Sequence, residues 1–108
     1  MKIIIIMKDI TSHEDFKSET STGKSVVDFY AHWCPPCRKM NPLFDSWEEK
    51  YSEFKFYKLN VDVAENKKIC KEFKISCMPT FIFLENGEVT KIIKGAKKDK
   101  IINMLESL

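Results

Sequence analysis

The stretch from Ser25 to Val63 limits the possible folds more than any other part of the chain. SVVDFYA (Ser25–Ala31) is a compact run of β-branched and aromatic residues, which is strand composition. A helical stripe follows, with Met40, Leu43, Phe44, Trp47 and Tyr51 spaced 3, 1, 3 and 4 apart. FKFYKLNVDV (Phe54–Val63) then reads as a second strand. Strand, helix and strand in this order imply parallel pairing with a right-handed crossover, because a tight turn cannot join parallel neighbours. Neither alternate face of Phe54–Val63 is purely polar, so helices must cover both sides of the sheet.

The remaining segments fit around this unit. Ile3–Met7 is an apolar run of five residues, shorter than the roughly 7–15 of a signal-peptide core, and no small-residue cleavage site follows. It reads as a buried strand. Thr11 and Ser12 precede Glu14 and Asp15, a capping-box start for a first helix ending before Gly23. ENKKICKEF forms a short helix with Ile69 and Phe73 on one face. TFIFL, Glu85-Asn86-Gly87 and EVTKII form a hairpin, for which Asn-Gly is the strongest short signal. Lys97–Leu108 puts Ile101, Ile102, Leu105 and Leu108 on one helical stripe, and Pro42 predicts a kink in the helix that contains it. The predicted order is βαβαβαββα, an α/β fold. A central mixed sheet of four to five strands carries helices on both faces, in a single domain over residues 1–108.

Eighteen basic against sixteen acidic residues leave a formal charge of +2, which does not call for a nucleic-acid partner. Lys94, Lys97, Lys98 and Lys100 surround the single Asp99 and read as a solvated face. No run approaches the roughly 20 apolar residues of a membrane helix. The chain is expected to be soluble and cytoplasmic, with no membrane association. Its four cysteines are too few and too unevenly placed for a secreted disulfide scaffold.

Cys34 and Cys37 are separated only by Pro35 and Pro36. A structural zinc site would need two more ligands. Cys70 and Cys77 lie seven apart rather than in a knuckle, and His13 and His32 form no metal-like pair, so no metal is expected. Two inert buried thiols are a further reading. The pair's place in the strand-to-helix turn of a βαβ unit favours a redox dithiol. Cys34 falls where the strand ends and the helix begins, and the helix dipole with Arg38 and Lys39 favours a thiolate there. One helical turn returns Cys37 beside it. Cys34 then acts as nucleophile and Cys37 as resolving thiol in two-step exchange.

These residues sit in a longer pattern. VVDFYAHWCPPC, the mid-helix Pro42, KLNVD (Lys58–Asp62), MPTF (Met78–Phe81), NGE (Asn86–Glu88) and KGA (Lys94–Ala96) occur in the order and near the spacings of the thioredoxin family. The resemblance covers roughly Ile10 to Leu105 and implies a thioredoxin fold. It implies a protein disulfide reductase serving cellular redox homeostasis through a reversible Cys34–Cys37 disulfide, with no bound cofactor. Disulfide-containing proteins would be its substrates, a thioredoxin reductase its electron donor, and the monomer its working form. Asp28 matches the family's buried aspartate, which takes or relays the proton of the resolving cysteine. Its place within an apolar strand is unusual in its own right, because a buried carboxylate is costly. Lys58 matches the lysine near that aspartate. Pro79 matches a cis-proline facing the dithiol, where Met78 offers backbone hydrogen bonds to an extended substrate. Trp33, Pro35 and Pro36 belong to the same contact surface, and Gly95 is expected to allow close chain approach there. Cys77, beside Met78, is a candidate regulatory thiol, whereas Cys70 reads as a packing residue.

The usual family spacer is Gly-Pro, and here it is Pro-Pro. Tryparedoxins and nucleoredoxins share that variant but usually have longer chains with insertions. A carrier reduced by a low-molecular-weight dithiol and a binding subunit with incidental redox activity stand as alternatives. The Pro-Pro spacer removes two N–H donors near Cys34, leaving the Cys37 and Arg38 amides to solvate its sulfur. Pro35, through stiffness and a lost donor, is expected to tune the reduction potential.

Overall fold

The computed structural model describes residues 8–107. The strands are β1 (Lys8–Ile10), β2 (Lys24–Tyr30), β3 (Phe54–Asn60), β4 (Thr80–Glu85) and β5 (Glu88–Lys94). The helices are α1 (His13–Thr20), α2 (Pro35–Lys50), α3 (Lys67–Glu72) and α4 (Lys98–Glu106), with a 3-10 turn at Ala64–Asn66 leading into α3. The strand predicted over Ile3–Met7 lies outside the described residues, as does Leu108.

Local chemistry accounts for the element ends. Ser12 caps α1 by accepting from the Asp15 amide at 3.0 Å. Asp15 returns its carboxylate to the Thr11 amide at 3.0 Å, so the reciprocal bond of the capping box closes one residue earlier than the motif prescribes. Asn86 and Gly87 take φ of 51° and 84°, the left-handed pair that a two-residue hairpin turn requires. Asn86 also ties this turn to the start of β2. Its amide donates to the Gly23 carbonyl and its Oδ1 accepts from the Gly23 amide, both at 2.9 Å.

The five strands lie in the order β1-β3-β2-β4-β5. β1, β3 and β2 are parallel, whereas β4 runs antiparallel to both β2 and β5. Alternation along β2 sends Val27 and Phe29 into one apolar cluster, with Phe16, Leu59, Ile69 and Ile82, and Val26 into the other. That second cluster also holds Met40, Phe44, Trp47, Phe56, Phe81, Ile101 and Leu105, so it binds α2 and α4 to the sheet. Burying a Phe side chain such as Phe29, Phe44, Phe81 or Phe83 completely contributes about 1.5–3 kcal/mol. The strand period of two then places Asp28 on the α2 side, with Val26. Lys58 shares that face and is paired in register with Asp28. α2 continues through Pro42, which cannot donate to the Arg38 carbonyl one turn back.

Candidate active site

Cys34 is the N-cap of α2, with extended backbone (φ −93°, ψ 109°), and its side chain is 4% exposed. Its sulfur accepts from the Cys37 amide at 3.3 Å, and its thiol donates to the Met78 carbonyl at 3.5 Å. Both cysteines are free thiols. An N-cap acceptor reaches the amides of the second and third helical positions. Here these are Pro36, which has no N–H, and Cys37, which makes the bond.

Two expectations about the spacer change accordingly. The Arg38 amide does not solvate the sulfur, because it donates to the Cys34 carbonyl at 3.1 Å in the first helical hydrogen bond. The Arg38 guanidinium bonds the His32 carbonyl at 2.8 Å. The missing donor that bears on the sulfur is that of Pro36, since Pro35 occupies the first helical position, outside the reach of a cap. What Pro35 contributes is a φ preset for helix entry.

Cys37, 1% exposed, occupies a different environment from Cys34 although only one helical turn away. Burial, reinforced by the hydrogen bond to Cys34 and by the negative charge of Asp28, pushes its thiol well above the ordinary range, against the opposing Ala31 backbone bond. It is held as a neutral thiol at physiological pH.

Asp28 is fully buried, and neither carboxylate oxygen has a hydrogen-bond partner among the described residues. Burial raises its pKa to about 7, with Lys58 pulling it down and Asp45 pushing it up. Lys58 is Asp28's neighbour across the sheet, but its ammonium pairs with Asp45 Oδ1 on α2 at 3.4 Å. Asp45 is therefore part of this electrostatic group. Sequence reasoning missed it, since it reads as one more exposed polar position on an amphipathic helix.

Trp33 is 62% exposed, so it lies on the surface beside the dithiol and does not pack in the core. Its indole N–H donates to Asp62 Oδ2 at 2.8 Å, and the Asp62 amide is itself held by Asn60 Oδ1 at 2.9 Å. Asp62 is a second residue that sequence reasoning left without a role. Its only sequence signal is its place at the end of KLNVD.

The Met78–Pro79 bond is cis. The Pro79 carbonyl accepts from the Gly95 amide at 2.7 Å, which joins the start of β4 to the end of β5 at the dithiol. The expectation that Gly95 permits close chain approach is corrected, because a Cβ there would meet nothing within 4 Å. Its φ of +90° is what calls for glycine. Cys77 is partly exposed, with its sulfur 3.8 Å from Thr80 Oγ1. Cys70 packs against the apolar cluster that contains Cys34 and Cys37, as a packing residue would. Among the described residues no group of three or more His, Cys, Asp or Glu is arranged to hold a metal ion, and no helix is long and apolar enough to cross a membrane.

The thioredoxin family model matches residues 7–107. Among curated proteins, Thioredoxin H3 of Arabidopsis thaliana is 44% identical over 94 residues, covering 86% of this chain and 78% of the relative. Thioredoxin of Equus caballus is 38% identical over 106 residues, covering 95% and 99%. Mitochondrial thioredoxin 3 of Saccharomyces cerevisiae, solved in its oxidized form, superposes with a TM-score of 0.87 at 31% identity, covering 94% of this chain and 95% of that one. Plasmodium falciparum thioredoxin gives 0.86 at 30% identity, covering 93% and 97%.

Proposed function

Because this chain belongs to the thioredoxin family of protein disulfide reductases, we propose that Cys34 is its attacking thiol and Cys37 its resolving thiol. The observation that carries this assignment is the asymmetry of the pair. Both sulfurs are buried, but the Cys34 sulfur receives an amide N–H at a helix N-terminus, whereas the Cys37 thiol is held protonated. An N–H aimed at sulfur at the positive end of a helix stabilises a thiolate, which is the species that attacks disulfides.

In the first step the Cys34 thiolate attacks one sulfur of the substrate disulfide, forming a mixed disulfide and releasing the other sulfur as a thiolate. In the second, Asp28 takes the Cys37 proton and the resulting thiolate attacks the Cys34 sulfur. The substrate leaves with both sulfurs reduced, and two electrons have left the dithiol as the Cys34–Cys37 disulfide. A carboxyl with a pKa near 7 suits that proton transfer, because it is available in both protonation states at neutral pH. Lys58 modulates Asp28 from the adjacent strand.

Trp33, Pro35, Pro36, Met78, Pro79 and Gly95 form the substrate-contact surface around Cys34 in this reading. The protein works as a single domain over residues 1–108 and as a monomer, without a bound cofactor. It is recharged in the cytoplasm by a thioredoxin reductase, and Cys77 is a regulatory thiol at the rim. Insulin-disulfide reduction tests the central assignment. Wild type is active, and Cys34→Ser and Cys37→Ser are both inactive, with Cys37→Ser accumulating a mixed disulfide. Full turnover by Cys34→Ser refutes it.

A further inference from the structure

A groove of about 560 Å³ opens between β5 and α4, away from the two thiols but starting at the same end of the sheet. Ile92 and Met104 contribute apolar walls, and Lys91, Lys94, Lys97 and Lys100 line it with charge. Ile92 is 41% exposed, one of few large hydrophobic side chains so open to solvent among the described residues. From Lys91 to Lys100 the chain carries five lysines and one aspartate, a net +4 in a chain whose formal charge is +2. None of these lysines has a carboxylate within ion-pair distance among the described residues.

Lysines on an edge strand commonly protect it from pairing with other chains. β5 is such a strand, and this accounts for Lys91 and Lys94. It does not account for Lys97 and Lys100, which come from the loop and helix that follow and converge on the same groove. The groove also begins one residue from the candidate active-site surface. Lys94 is paired across the sheet with Thr80, the residue after cis-Pro79, and the neighbouring Gly95 is bonded to the Pro79 carbonyl. Lys91 lies roughly 10 Å further along β5, the span of about three extended residues.

We infer that this groove is a docking surface for an acidic segment flanking the disulfide of a protein substrate. The inference deepens the dithiol reading and rests on it. With the disulfide at Cys34, carboxylates a few residues away would lie among four unpaired ammonium groups, while apolar side chains of the same segment would cover Ile92. Opposite charges brought together in the groove lie within the screening length of about 10 Å at 0.1 M salt, so the attraction raises the encounter rate and weakens as salt is added.

The test uses two disulfide peptides that differ only in flanking residues, glutamates in one and glutamines in the other. At low ionic strength the wild type reduces the glutamate peptide on the order of tenfold faster, and high salt removes most of the difference. The combined Lys91→Gln, Lys94→Gln, Lys97→Gln, Lys100→Gln variant loses the preference and reduces the glutamine peptide at the wild-type rate. The corresponding four-arginine variant keeps the preference. Equal wild-type rates for the two peptides, or a preference that survives in the glutamine variant, overturn the docking surface alone. Equal rates together with tight binding of inorganic polyphosphate reassign the groove to a polyanion. Failure to reduce either peptide overturns the dithiol reading as well.

Discussion

Replacing Asp28 with asparagine removes a buried ionisable group that has no hydrogen-bond partner among the described residues. The folded protein raises this carboxyl from 3.8 to about 7. Below about pH 4 it is protonated in the folded and unfolded chains alike and contributes no difference. Between about 4 and 7 the unfolded chain ionises while the folded one holds its proton, so stability falls by about 1.36 kcal/mol per pH unit. Above 7 both are ionised and the full deficit persists, on the order of 4 kcal/mol. The asparagine side chain carries no charge at any of these pH values and nearly matches the volume of a protonated aspartic acid, so one unsatisfied polar head replaces another. Asp28→Asn is therefore close to wild type in stability near pH 4 and more stable by up to that amount at pH 8. Urea unfolding of both reduced proteins across this range measures the gap, and groups unaffected by the substitution cancel in the difference. A gap independent of pH, or one fully open by pH 5, refutes the reasoning.

Asp45→Asn removes the partner of Lys58 and a negative neighbour of Asp28. Both changes favour ionised Asp28, so the pH at which the unfolding gap levels off moves down; an unchanged or higher value shows that Asp45 does not act on Asp28. Pro36→Ala restores an N–H at the second helical position, within reach of the Cys34 sulfur. It stabilises the reduced form and makes the protein a stronger oxidant in glutathione equilibration, with a larger shift than Pro35→Ala; equal shifts reject the assignment of the missing donor to Pro36.

What was legible in the sequence is what depends on neighbours along the chain. Ser12 before an acidic first turn, Asn86-Gly87 between two strands, and Asp28 inside an apolar run all carry their meaning within a few residues. Asp45 and Asp62 carry theirs only through partners brought to them by the fold, Lys58 from β3 and the indole of Trp33. Gly95 shows a third case. Its position in the KGA pattern was readable, but the choice between a need for space and a need for positive φ required the backbone itself. The Lys94–Lys100 run also read as solvated surface because nothing in the sequence says that its lysines share a groove with Lys91.

The two-residue spacer sets the thiols apart in environment as well as in distance. With Cys34 at the N-cap, the second cysteine occupies the third helical position, whose amide points back at the cap side chain. The backbone of one cysteine thus supplies the hydrogen bond to the sulfur of the other, while its own sulfur turns into the core. A spacer one residue longer would move the second cysteine to the position of Arg38. That amide is engaged by the Cys34 carbonyl as the first helical bond, and it has nothing left for the sulfur. A proline pair fits such a spacer because positions 35 and 36 make no intrahelical N–H bond. Of the two, only Pro36 removes a donor that the cap sulfur could have used. Both prolines fix φ and share the spacer's rigidity, whereas its electrostatic effect resides on Pro36.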